Sequence, residues 1–314
     1  MNIGIDMMGG DFAPQEVVKG ILLHIQSVAT PVNLYCIGDE ALIQSLFDEH
    51  QVSSPYLHIV PATEEISYHE HPTKAFKEKQ GSSIVIGFHM LAKGKIDAFI
   101  SAGNTGAMLV GAMFSIKAIE GVARPTVSAI LPKQNGGFGV LVDAGLNSDC
   151  KPEHLNQFAI LGSLYARYIF NVSNPKVGLV NIGEEEGKGN VLAQATYPLL
   201  KENKLINFIG NIEGRDFFND KADVFICDGF TGNIILKMAE SFYDLMLAKN
   251  LQNDPYFNLF HYENYGGSPV IGVAKPVIIG HGISSAKAFN NMITLAIKMI
   301  ETDICGKIKV SITA

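Results

Sequence analysis

The stretch IDAFISAGNTGAMLVGAMFSIKAI, residues Ile96–Ile119, is the part of this chain from which its fold is best interpreted. Ala98–Ser101 is a short apolar run, Gly103–Gly106 is a polar turn, and apolar residues then recur at helical spacing from Ala107. This order predicts a buried strand, a glycine turn and a helix. Such a turn directs free backbone N–H groups to the carboxyl end of the strand, where an anion can bind.

Two interpretations of this turn stay open on the sequence alone. In the first, the backbone of Ser101–Gly106 holds an anion, and Asn104 and Thr105 add side-chain donors. In the second, the glycines only allow a helix to pack closely on a strand. The spacing Gly103-x-x-Gly106 lacks the first Gly-x-Gly of a dinucleotide fingerprint, so dinucleotide binding is not indicated.

Similar polar turns follow predicted strands elsewhere in the chain, at Gly9-Gly10-Asp11, Asp143–Asn147, Gly183–Asn190, Asp228–Asn233 and His281–Ser285. Strands that alternate with helices predict a mostly parallel α/β sheet. Because the carboxyl ends of parallel strands share one edge of a sheet, we expect these turns to gather there. The sequence therefore predicts one site built from several turns.

Local signals predict several further features. Asn135-Gly136 between two apolar runs predicts an antiparallel hairpin. Asp39 and Ser82 are predicted helix N-caps. Thr63–Gly81 is polar, and we expect a mobile rim loop there, with a metal site at His69 and His71 as the less favoured alternative. The predicted strands are Asn2–Asp6, Val32–Ile37, Leu57–Val60, Ala98–Ser101, Thr126–Leu131, Phe138–Asp143, Val177–Ile182, Asn207–Ile209, Val224–Cys227 and Val277–Gly280.

Length and composition restrict the class of protein. A chain of 314 residues suits one large α/β domain or two small ones, and we expect a single domain over residues 1–314. Hydrophobic residues make up 47% and charged residues 18%, which favours extra buried surface such as a dimer interface. No apolar run approaches about 18 residues, so no membrane span is predicted. The net charge of −7 argues against nucleic acid as the main partner.

The cysteines and the start of the chain predict a cytoplasmic protein. Three of the four cysteines lie in or beside apolar runs and none forms a Cys-x-x-Cys pair, which is typical of buried thiols in a reducing compartment. A zinc site is not indicated. The chain opens with a predicted strand, Asn2–Asp6, and without the features of a signal peptide.

The segment Gly183–Asn190 resembles a P-loop only superficially. It is one residue short, and it lacks the Ser or Thr that would hold magnesium, so we reject nucleoside triphosphate binding. Lys188 between Gly187 and Gly189 is a compact charge suited to phosphate, and a surface lysine is the alternative. The acidic run Glu184–Glu186 is better explained as favourable charge near a helix N-terminus than as a magnesium ligand.

The remaining candidates define the chemistry further. His281 follows a predicted strand and is equally a general base or a structural histidine. The chain has no Gly-x-Ser-x-Gly elbow, and no cysteine has the setting of a nucleophile. The residues alone therefore predict phosphate binding without a covalent nucleophile, a metal or a cofactor.

A run of lysines is a candidate docking patch. Between Lys74 and Lys95 there are five lysines and one acid, Glu78, which gives a local charge of +4 in a chain of net charge −7. Docking of an acidic partner is the functional hypothesis and a solvated face is the alternative. The five are Lys74, Lys77, Lys79, Lys93 and Lys95.

Taken in order, the motifs resemble those of the bacterial phosphate acyltransferase family of phospholipid synthesis. The similarity extends from end to end, and Tyr265-Gly-Gly and His281-Gly extend it further. The motifs are Asp6-Met-Met-Gly-Gly-Asp11, Ser101-Ala-Gly-Asn-Thr-Gly-Ala107, Asp149-Cys-Lys-Pro-Glu-His154, Asn181-Ile-Gly-Glu-Glu-Glu-Gly-Lys-Gly-Asn190, Gly210-Asn-Ile-Glu-Gly-Arg-Asp216 and Cys227-Asp-Gly-Phe-Thr-Gly-Asn233.

This resemblance implies transfer of a fatty acyl group from acyl carrier protein to inorganic phosphate, and the acyl phosphate then serves a glycerol 3-phosphate acyltransferase of the membrane. It implies a three-layer Rossmann-like fold similar to the phosphate acetyltransferase and isopropylmalate dehydrogenase group. It also implies a homodimer attached loosely to the inner membrane face. The family's important lysine and asparagine fall on Lys188 and Asn233. The phosphate and substrate site would include Asp6, Gly9, Gly10, Ser101, Gly103, Asn104, Thr105, Gly106, Asp228, Gly229, Thr231, Gly232 and His281.

The chain departs from the family pattern in two places. Asp143-Ala-Gly-Leu-Asn147 replaces the usual Asp-Val-Gly-Ala-Asn, and the segment between Asn233 and Tyr265 is shorter than in many members. In the family this segment is a helical hairpin with an apolar tip, and here we expect a helical projection at about 234–264. Its apolar residues are Phe242, Leu245, Met246, Leu247, Leu251, Tyr256, Phe257, Leu259 and Phe260.

Two rival functions were weighed against acyl transfer. A decarboxylating NAD-dependent dehydrogenase of related fold needs an arginine cluster, but the chain has only Arg124, Arg167 and Arg215. The second rival is a non-catalytic scaffold that binds carrier protein and membrane.

Overall fold

A computed structural model describes residues 1–28, 30–251 and 253–313 of the chain. Its strands are β1 (Asn2–Asp6), β2 (Asn33–Gly38), β3 (Leu57–Pro61), β4 (Ala98–Ser101), β5 (Thr126–Pro132), β6 (Phe138–Val142), β7 (Lys176–Val180), β8 (Asn207–Ile212), β9 (Val224–Ile226), β10 (Ser268–Ile271) and β11 (Val277–Ile279).

The α-helices are α1 (Gln15–Ser27), α2 (Glu40–Glu49), α3 (Pro72–Glu78), α4 (Ser83–Ala92), α5 (Thr105–Gly111), α6 (Pro152–Ile169), α7 (Val191–Glu202), α8 (Gly229–Ala248), α9 (Pro255–Asn258), α10 (Ala286–Glu301) and α11 (Ile304–Thr313). A π-helical turn, Ala112–Ile116, continues α5. Among the described helices, none is both long and apolar enough to cross a membrane.

The chain divides into two compact units. Unit 1 comprises residues 1–118 and 262–305, and unit 2 comprises residues 119–261 and 306–314. The predicted single domain over residues 1–314 stays a prediction.

Unit 1 contains a mostly parallel array in the order β3-β2-β1-β4-β11-β10. Among the described strands of this unit, only β10 runs antiparallel, against β11. Every residue of β4 is buried, because α4 packs on one face through Phe88 and Phe99, whose rings lie 5.1 Å apart, and α10 also packs on this strand. This burial of both faces is typical of a parallel sheet between two helical layers.

Unit 2 contains the order β5-β6-β9-β7-β8. β5 and β6 form an antiparallel hairpin, as Asn135-Gly136 predicts, and Gly136 has the positive φ of 82° that such a turn uses. The remaining pairs, β6–β9, β9–β7 and β7–β8, are parallel. The prediction of a three-layer α/β fold with mostly parallel strands is confirmed.

Local sequence signals predicted most element boundaries. The Asp39 side chain caps α2 by accepting from the Leu42 amide, and the Ser82 side chain caps α4 by accepting from the Val85 amide. The expectation of a loop over Thr63–Gly81 is wrong in part, because α3 lies within it. Pro72 opens this helix, and Ala75 is buried on its inner face.

The helical part of the segment 234–264 is confirmed for the described residues, while its projection stays a prediction. α8 continues to Ala248, and α9 and a 3-10 turn at Tyr262–Asn264 follow. Part of the predicted apolar tip packs on other residues, because the Phe260 ring lies 5.3 Å from Phe218 and 5.6 Å from Tyr256. Phe242, Leu245, Leu247 and Leu251 are exposed, while Met246, Tyr256, Phe257 and Leu259 are half-buried.

Candidate active site

In unit 1 the turn after β4 is organised by a buried carboxylate. Asp6, at the end of β1, accepts a 2.6 Å hydrogen bond from the Ser101 hydroxyl, which in turn accepts from the Gly103 amide at 2.9 Å. Burial raises the pKa of Asp6, and hydrogen bonds from Ser101, Ser83 and the Met8 and Gly9 amides oppose this shift. Asp6 and Ser101 therefore fix the shape of the turn rather than present free groups.

Asn104 is not available as the side-chain donor that the sequence suggested. Its carbonyl oxygen caps α5 by accepting from the Ala107 amide at 2.9 Å. Its amide group donates to the Ser67 and Glu70 carbonyls at 2.8 and 3.3 Å. Thr105 is exposed, and the N–H groups of Thr105 and Gly106 are the first two of the helix, which have no acceptor within it.

Three of the predicted turns meet in unit 1. A Cβ on Gly9 would lie 2.6 Å from the Gly103 nitrogen, so only glycine allows this approach of the two backbones. The Asp11 amide donates to the Gly282 carbonyl at 2.7 Å. Gly10, with a φ of 126°, lies between Gly9 and Asp11 in the turn after β1. The turns after β1, β4 and β11 thus form one surface, as the parallel strands predict.

Tyr68, in the polar segment Thr63–Gly81, also contacts this surface, and neither its residue type nor its position predicted this contact. Its hydroxyl donates to the Ala102 carbonyl at 2.5 Å. A Cβ on Gly282 would lie 2.9 Å from the Tyr68 hydroxyl oxygen. Burial, with smaller contributions from Asp11 and Asp6, raises the pKa of Tyr68 to about 12. The phenol therefore stays protonated near neutral pH and acts as a donor.

His281 lies at the edge of the same three turns. Its ring centroid is 4.5 Å from that of Tyr262, and the residue is half-buried. Its assignment as a general base stays a prediction.

In unit 2 a second buried carboxylate organises the turn after β6. Asp143 accepts hydrogen bonds from the amides of Val127 and Asn147 at 3.0 and 2.6 Å, and from the Asn147 side chain at 2.8 Å. The Gly229 amide donates to the Asn147 carbonyl at 2.7 Å. This turn therefore seats the first residue of α8.

The prediction that Asp228–Asn233 is a loop whose amides hold phosphate is wrong in most of its detail. Gly229, Thr231, Gly232 and Asn233 belong to α8, which Asp228 caps. The Gly229 amide is bonded to Asn147, the Thr231 amide and hydroxyl to the Asp228 carboxylate, and the Gly232 amide to the Asp228 carbonyl. Of these amides only that of Thr231 bonds to the N-cap side chain, and the other two already have backbone acceptors.

Asn233 is exposed one turn into α8. A Cβ on Gly145 would lie 3.3 Å from the side-chain oxygen of Asn233, and Gly145 has a φ of 126°. The glycine of the Asp143–Asn147 turn thus lies directly against Asn233. Because Asn233 is exposed, its side chain can reach a bound ligand.

Lys188 lies in the loop between β7 and α7, and its side chain is 51% exposed. The Asn181 side chain donates to its carbonyl at 3.0 Å, and its ammonium lies 4.0 Å from Glu185. Gly189 has a φ of 98°, and a Cβ there would lie 2.3 Å from the Asn181 side chain. Gly187 has no neighbour within 4 Å of an added Cβ, so only the second flanking glycine is required by geometry.

The expected role of Glu184–Glu186 near a helix N-terminus is wrong. Asn190 caps α7, and its first turn contains no acidic residue. Each glutamate instead pairs with a different lysine, at distances of 2.6 Å for Glu184–Lys221, 4.0 Å for Glu185–Lys188 and 2.9 Å for Glu186–Lys201. The three carboxylates therefore point to different places.

Beside this loop, unit 2 has a cavity of about 230 Å³. Two predicted site residues, Asp228 and Thr231, line it. Five further lining residues belong to the quoted motifs, namely Asn181, Ile182, Gly189, Asn190 and Cys227. The motifs did not indicate the other five, which are Leu155, Leu179, Val180, Leu192 and Ala193. The cavity lies where β7 and β9 end and where α7 and α8 begin. Among the described residues, no group of three or more His, Cys, Asp or Glu side chains is placed to hold a metal.

The five candidate docking lysines lie at two places. Lys74 and Lys77 are exposed on α3, and Lys79, its C-cap, pairs with Glu70 at 2.7 Å. The Lys79 carbonyl accepts from Ser82 at the start of α4, whereas Lys93 and Lys95 follow the end of that helix. A helix of this length spans about 15 Å, so the five lysines do not form one compact cluster.

Solved structures place the fold among phosphotransacetylases. A phosphotransacetylase from Streptococcus pyogenes matches with a TM-score of 0.67 and 15% identity, and covers 96% of this chain and 94% of that one. One from Staphylococcus aureus matches with a TM-score of 0.65 and 17% identity, at the same coverage. At this identity the likeness concerns the fold alone.

The sequence comparisons are more specific. A family model described as "Fatty acid synthesis protein" matches residues 1–307. The phosphate acyltransferase of Dictyoglomus turgidum is 42% identical over 326 residues, which cover 98% of this chain and 96% of that protein. The phosphate acyltransferase of Aquifex aeolicus is 41% identical over 98% of this chain and 96% of that protein. The chain belongs to this phosphate acyltransferase family.

Proposed function

We propose that this protein transfers a fatty acyl group from acyl carrier protein to inorganic phosphate, giving acyl phosphate for phospholipid synthesis. The observation that carries the proposal is the full-length match to relatives named phosphate acyltransferase. The resemblance adds carrier protein as the acyl donor and a membrane glycerol 3-phosphate acyltransferase as the user of the product.

The proposed reaction needs no acyl-enzyme intermediate. An oxygen of hydrogen phosphate attacks the thioester carbonyl carbon, and the carbonyl oxygen becomes an oxyanion. The intermediate collapses as the C–S bond breaks, and the phosphate proton passes to the carrier thiolate. Because phosphate is already partly dianionic near neutral pH, catalysis rests on positioning it and on stabilising the oxyanion.

Lys188 and Asn233 are the proposed catalytic residues. Lys188 supplies a compact positive charge for phosphate and for the developing oxyanion. Asn233 donates from its side-chain amide group. The cavity lined by Asn181, Asp228 and Thr231 is the proposed place for the reacting end of the substrate in unit 2.

The unit 1 turns, taken by themselves, are also proposed to bind phosphate or substrate. Thr105 and Gly106 offer backbone donors at the start of α5. Asp6, Gly9, Gly10, Ser101, Gly103 and Asn104 shape the turns that carry these donors.

We further propose that the protein is a cytoplasmic homodimer that binds the inner membrane face as a peripheral protein. An exposed apolar stripe on α8 supports membrane contact. Its residues Phe230, Ile234, Met238, Phe242 and Leu245 are between 38% and 64% exposed. Lys74 and Lys77 on α3 are the better placed candidates for carrier docking, because Lys79 is paired and the other two lysines follow the far end of α4.

The direct test is incubation of the purified protein with palmitoyl acyl carrier protein and phosphate. We expect release of the carrier thiol that depends on phosphate, together with one equivalent of acyl phosphate trapped by hydroxylamine. Replacing phosphate with sulfate is the control. Thiol release without phosphate would indicate a thioesterase, and no release would favour a non-catalytic scaffold.

A further inference from the structure

The segment Gly210–Asp216 lies directly beside the Lys188 loop. β7 and β8 are parallel neighbours, with Val180 opposite Ile212. One residue after Val180, the backbone amide of Asn181 donates to the Ile212 carbonyl at 2.8 Å. The loop that follows β7 and the turn that follows β8 therefore leave the sheet side by side.

Two side chains of this neighbouring region hold the loop. Asn211, which is 3% exposed, donates from its amide group to the Glu185 carbonyl at 2.8 Å. Lys221 donates to the Glu184 carboxylate at 2.6 Å and to the Asp216 carboxylate at 2.9 Å. Together they attach two successive residues of the loop to a fixed part of unit 2.

The anchor of the second attachment is itself rigid. The Asp216 side chain is 6% exposed, and it also accepts from the Glu213 amide at 3.0 Å and from Asn219 at 3.1 Å. Burial would raise the pKa of Asp216, but these hydrogen bonds and the Lys221 charge lower it. The hydrogen bonds that Lys221 donates to Glu184 and Asp216 raise the pKa of Lys221, so the bridge stays charged near neutral pH.

We propose that Asn211, Lys221 and Glu184 are positioning residues that hold the Lys188 loop in the geometry used for acyl transfer. The inference rests on the proposed function, because it gives Lys188 a role in the reaction. None of the three contacts the reacting atoms. They act by holding the Glu184 side chain and the Glu185 carbonyl, four and three residues before Lys188.

The sharpest test compares two neighbouring glutamates. Glu184→Ala removes the loop's link to Lys221 and leaves the half-buried Lys221–Asp216 pair intact. Glu186→Ala removes the same charge from the same loop, but breaks only an exposed pair with Lys201. We expect Glu184→Ala and Asn211→Asp to lower kcat by about tenfold or more with little change in the KM for phosphate, since small displacements of a catalytic group are costly. Glu186→Ala should stay within about twofold of wild type.

A double-mutant cycle with Lys188→Met shows whether the effect acts through the lysine. We expect Glu184→Ala to lower kcat by less than about twofold in the Lys188→Met background, because the group it positions is then absent. Faster amide hydrogen exchange at residues 183–189 in Glu184→Ala, but not in Glu186→Ala, would support the same conclusion without any activity measurement.

The inference is wrong if Glu184→Ala and Glu186→Ala have equal effects, or if Glu184→Ala costs the same factor with and without Lys188. It is also wrong if Lys188→Met is fully active, since the loop then positions nothing used in the reaction. Failure of the proposed function is a different result, namely wild-type protein that forms no acyl phosphate, and the exchange measurement still tests the attachment in that case.

Discussion

Lys188 carries the most specific prediction at the scale of single residues. Its side chain is half exposed, so its value to catalysis depends on the charge that develops on a bound substrate rather than on burial. We expect Lys188→Met to lower kcat by about a hundredfold or more, as loss of one oxyanion-stabilising contact does. Lys188→Arg should restore activity only in part, because a planar guanidinium cannot replace a compact ammonium group. Steady-state rates with saturating phosphate measure both.

Lys201→Met is the matched control for this prediction. Lys201 is also an exposed lysine paired with a glutamate of the same loop, and it lies on α7. Its variant should keep wild-type kinetics. If Lys188→Met retains more than about a tenth of wild-type turnover, the lysine is a bystander and backbone donors must stabilise the oxyanion.

The sequence predicted that polar residues would lie in turns after strands, but it did not predict the hydrogen-bond partners of their side chains. Asn104 illustrates this, since its amide group is bonded to carbonyls of Ser67 and Glu70, more than 30 positions earlier in the chain. The same holds for Glu184 and Lys221. A polar residue after a strand indicates an edge of the sheet, whereas its hydrogen bonds depend on segments that only the fold brings close.

At the scale of elements, the packing of α1 on α10 contains a pH-dependent group. His24 on α1 is 1% exposed, and neither ring nitrogen has a hydrogen-bond partner among the described residues. Burial lowers the pKa of His24 from its ordinary value of 6.5, and the neighbouring Asn290 opposes the shift. As the pH falls, His24 therefore binds a proton in the unfolded chain before it does so in the folded protein.

We expect the free energy of unfolding to be highest above pH 6.5 and to fall as the pH decreases toward the lowered pKa of His24. One such group contributes a slope of up to about 1.4 kcal/mol per pH unit. Urea denaturation at several pH values measures it, and His24→Leu should reduce the slope. The exposed His69→Leu is the control, and an unchanged slope in His24→Leu would assign the pH dependence to other groups.

The exposed stripe of α8 carries the second prediction at this scale. Phe242→Asp combined with Leu245→Asp should release the protein from vesicles that contain anionic lipid, because insertion of apolar side chains is the proposed contact. Turnover of soluble substrate should be unchanged, since both residues are several turns from Asn233. Vesicle flotation and steady-state kinetics measure the two effects.

Leu205→Asp combined with Val310→Asp is the control for the α8 stripe. It changes two apolar residues that are 54% and 68% exposed elsewhere in unit 2. Light scattering measures the molecular mass and so tests the other outcome, in which the stripe is a dimer interface rather than a membrane contact. In that case the Phe242→Asp, Leu245→Asp protein would have the 34.0 kDa mass of one chain while the control keeps twice that mass.

At the scale of the whole molecule, alternation of strands and helices was sufficient to predict a mostly parallel α/β fold. The division into two units was not predictable, because residues 262–305 return to the unit formed by residues 1–118. Sequence patterns describe neighbours along the chain, whereas β11 pairs with β4 across more than 170 positions. Such long-range pairing depends on packing that periodicity does not record.

The net charge of −7 makes carrier docking a question for the whole molecule. An acidic carrier is repelled at long range by an acidic protein, so productive encounter requires a local positive surface. We expect Lys74→Glu combined with Lys77→Glu to raise the KM for acyl carrier protein and to flatten its dependence on salt, while the KM for phosphate stays the same.

Lys93→Glu combined with Lys95→Glu distinguishes a local surface from total charge. Both double variants change the net charge by the same amount. Lys93 and Lys95 follow the C-terminal end of α4, whereas Lys79 and Ser82 lie at its N-terminal end. If only the α3 variant raises the KM for the carrier, docking is local and uses α3. Equal increases would mean that the overall field governs association, and no change in either would leave the lysines as solvated surface. Initial rates at several ionic strengths separate these outcomes, because an overall field is screened more completely by salt than a close ion pair is.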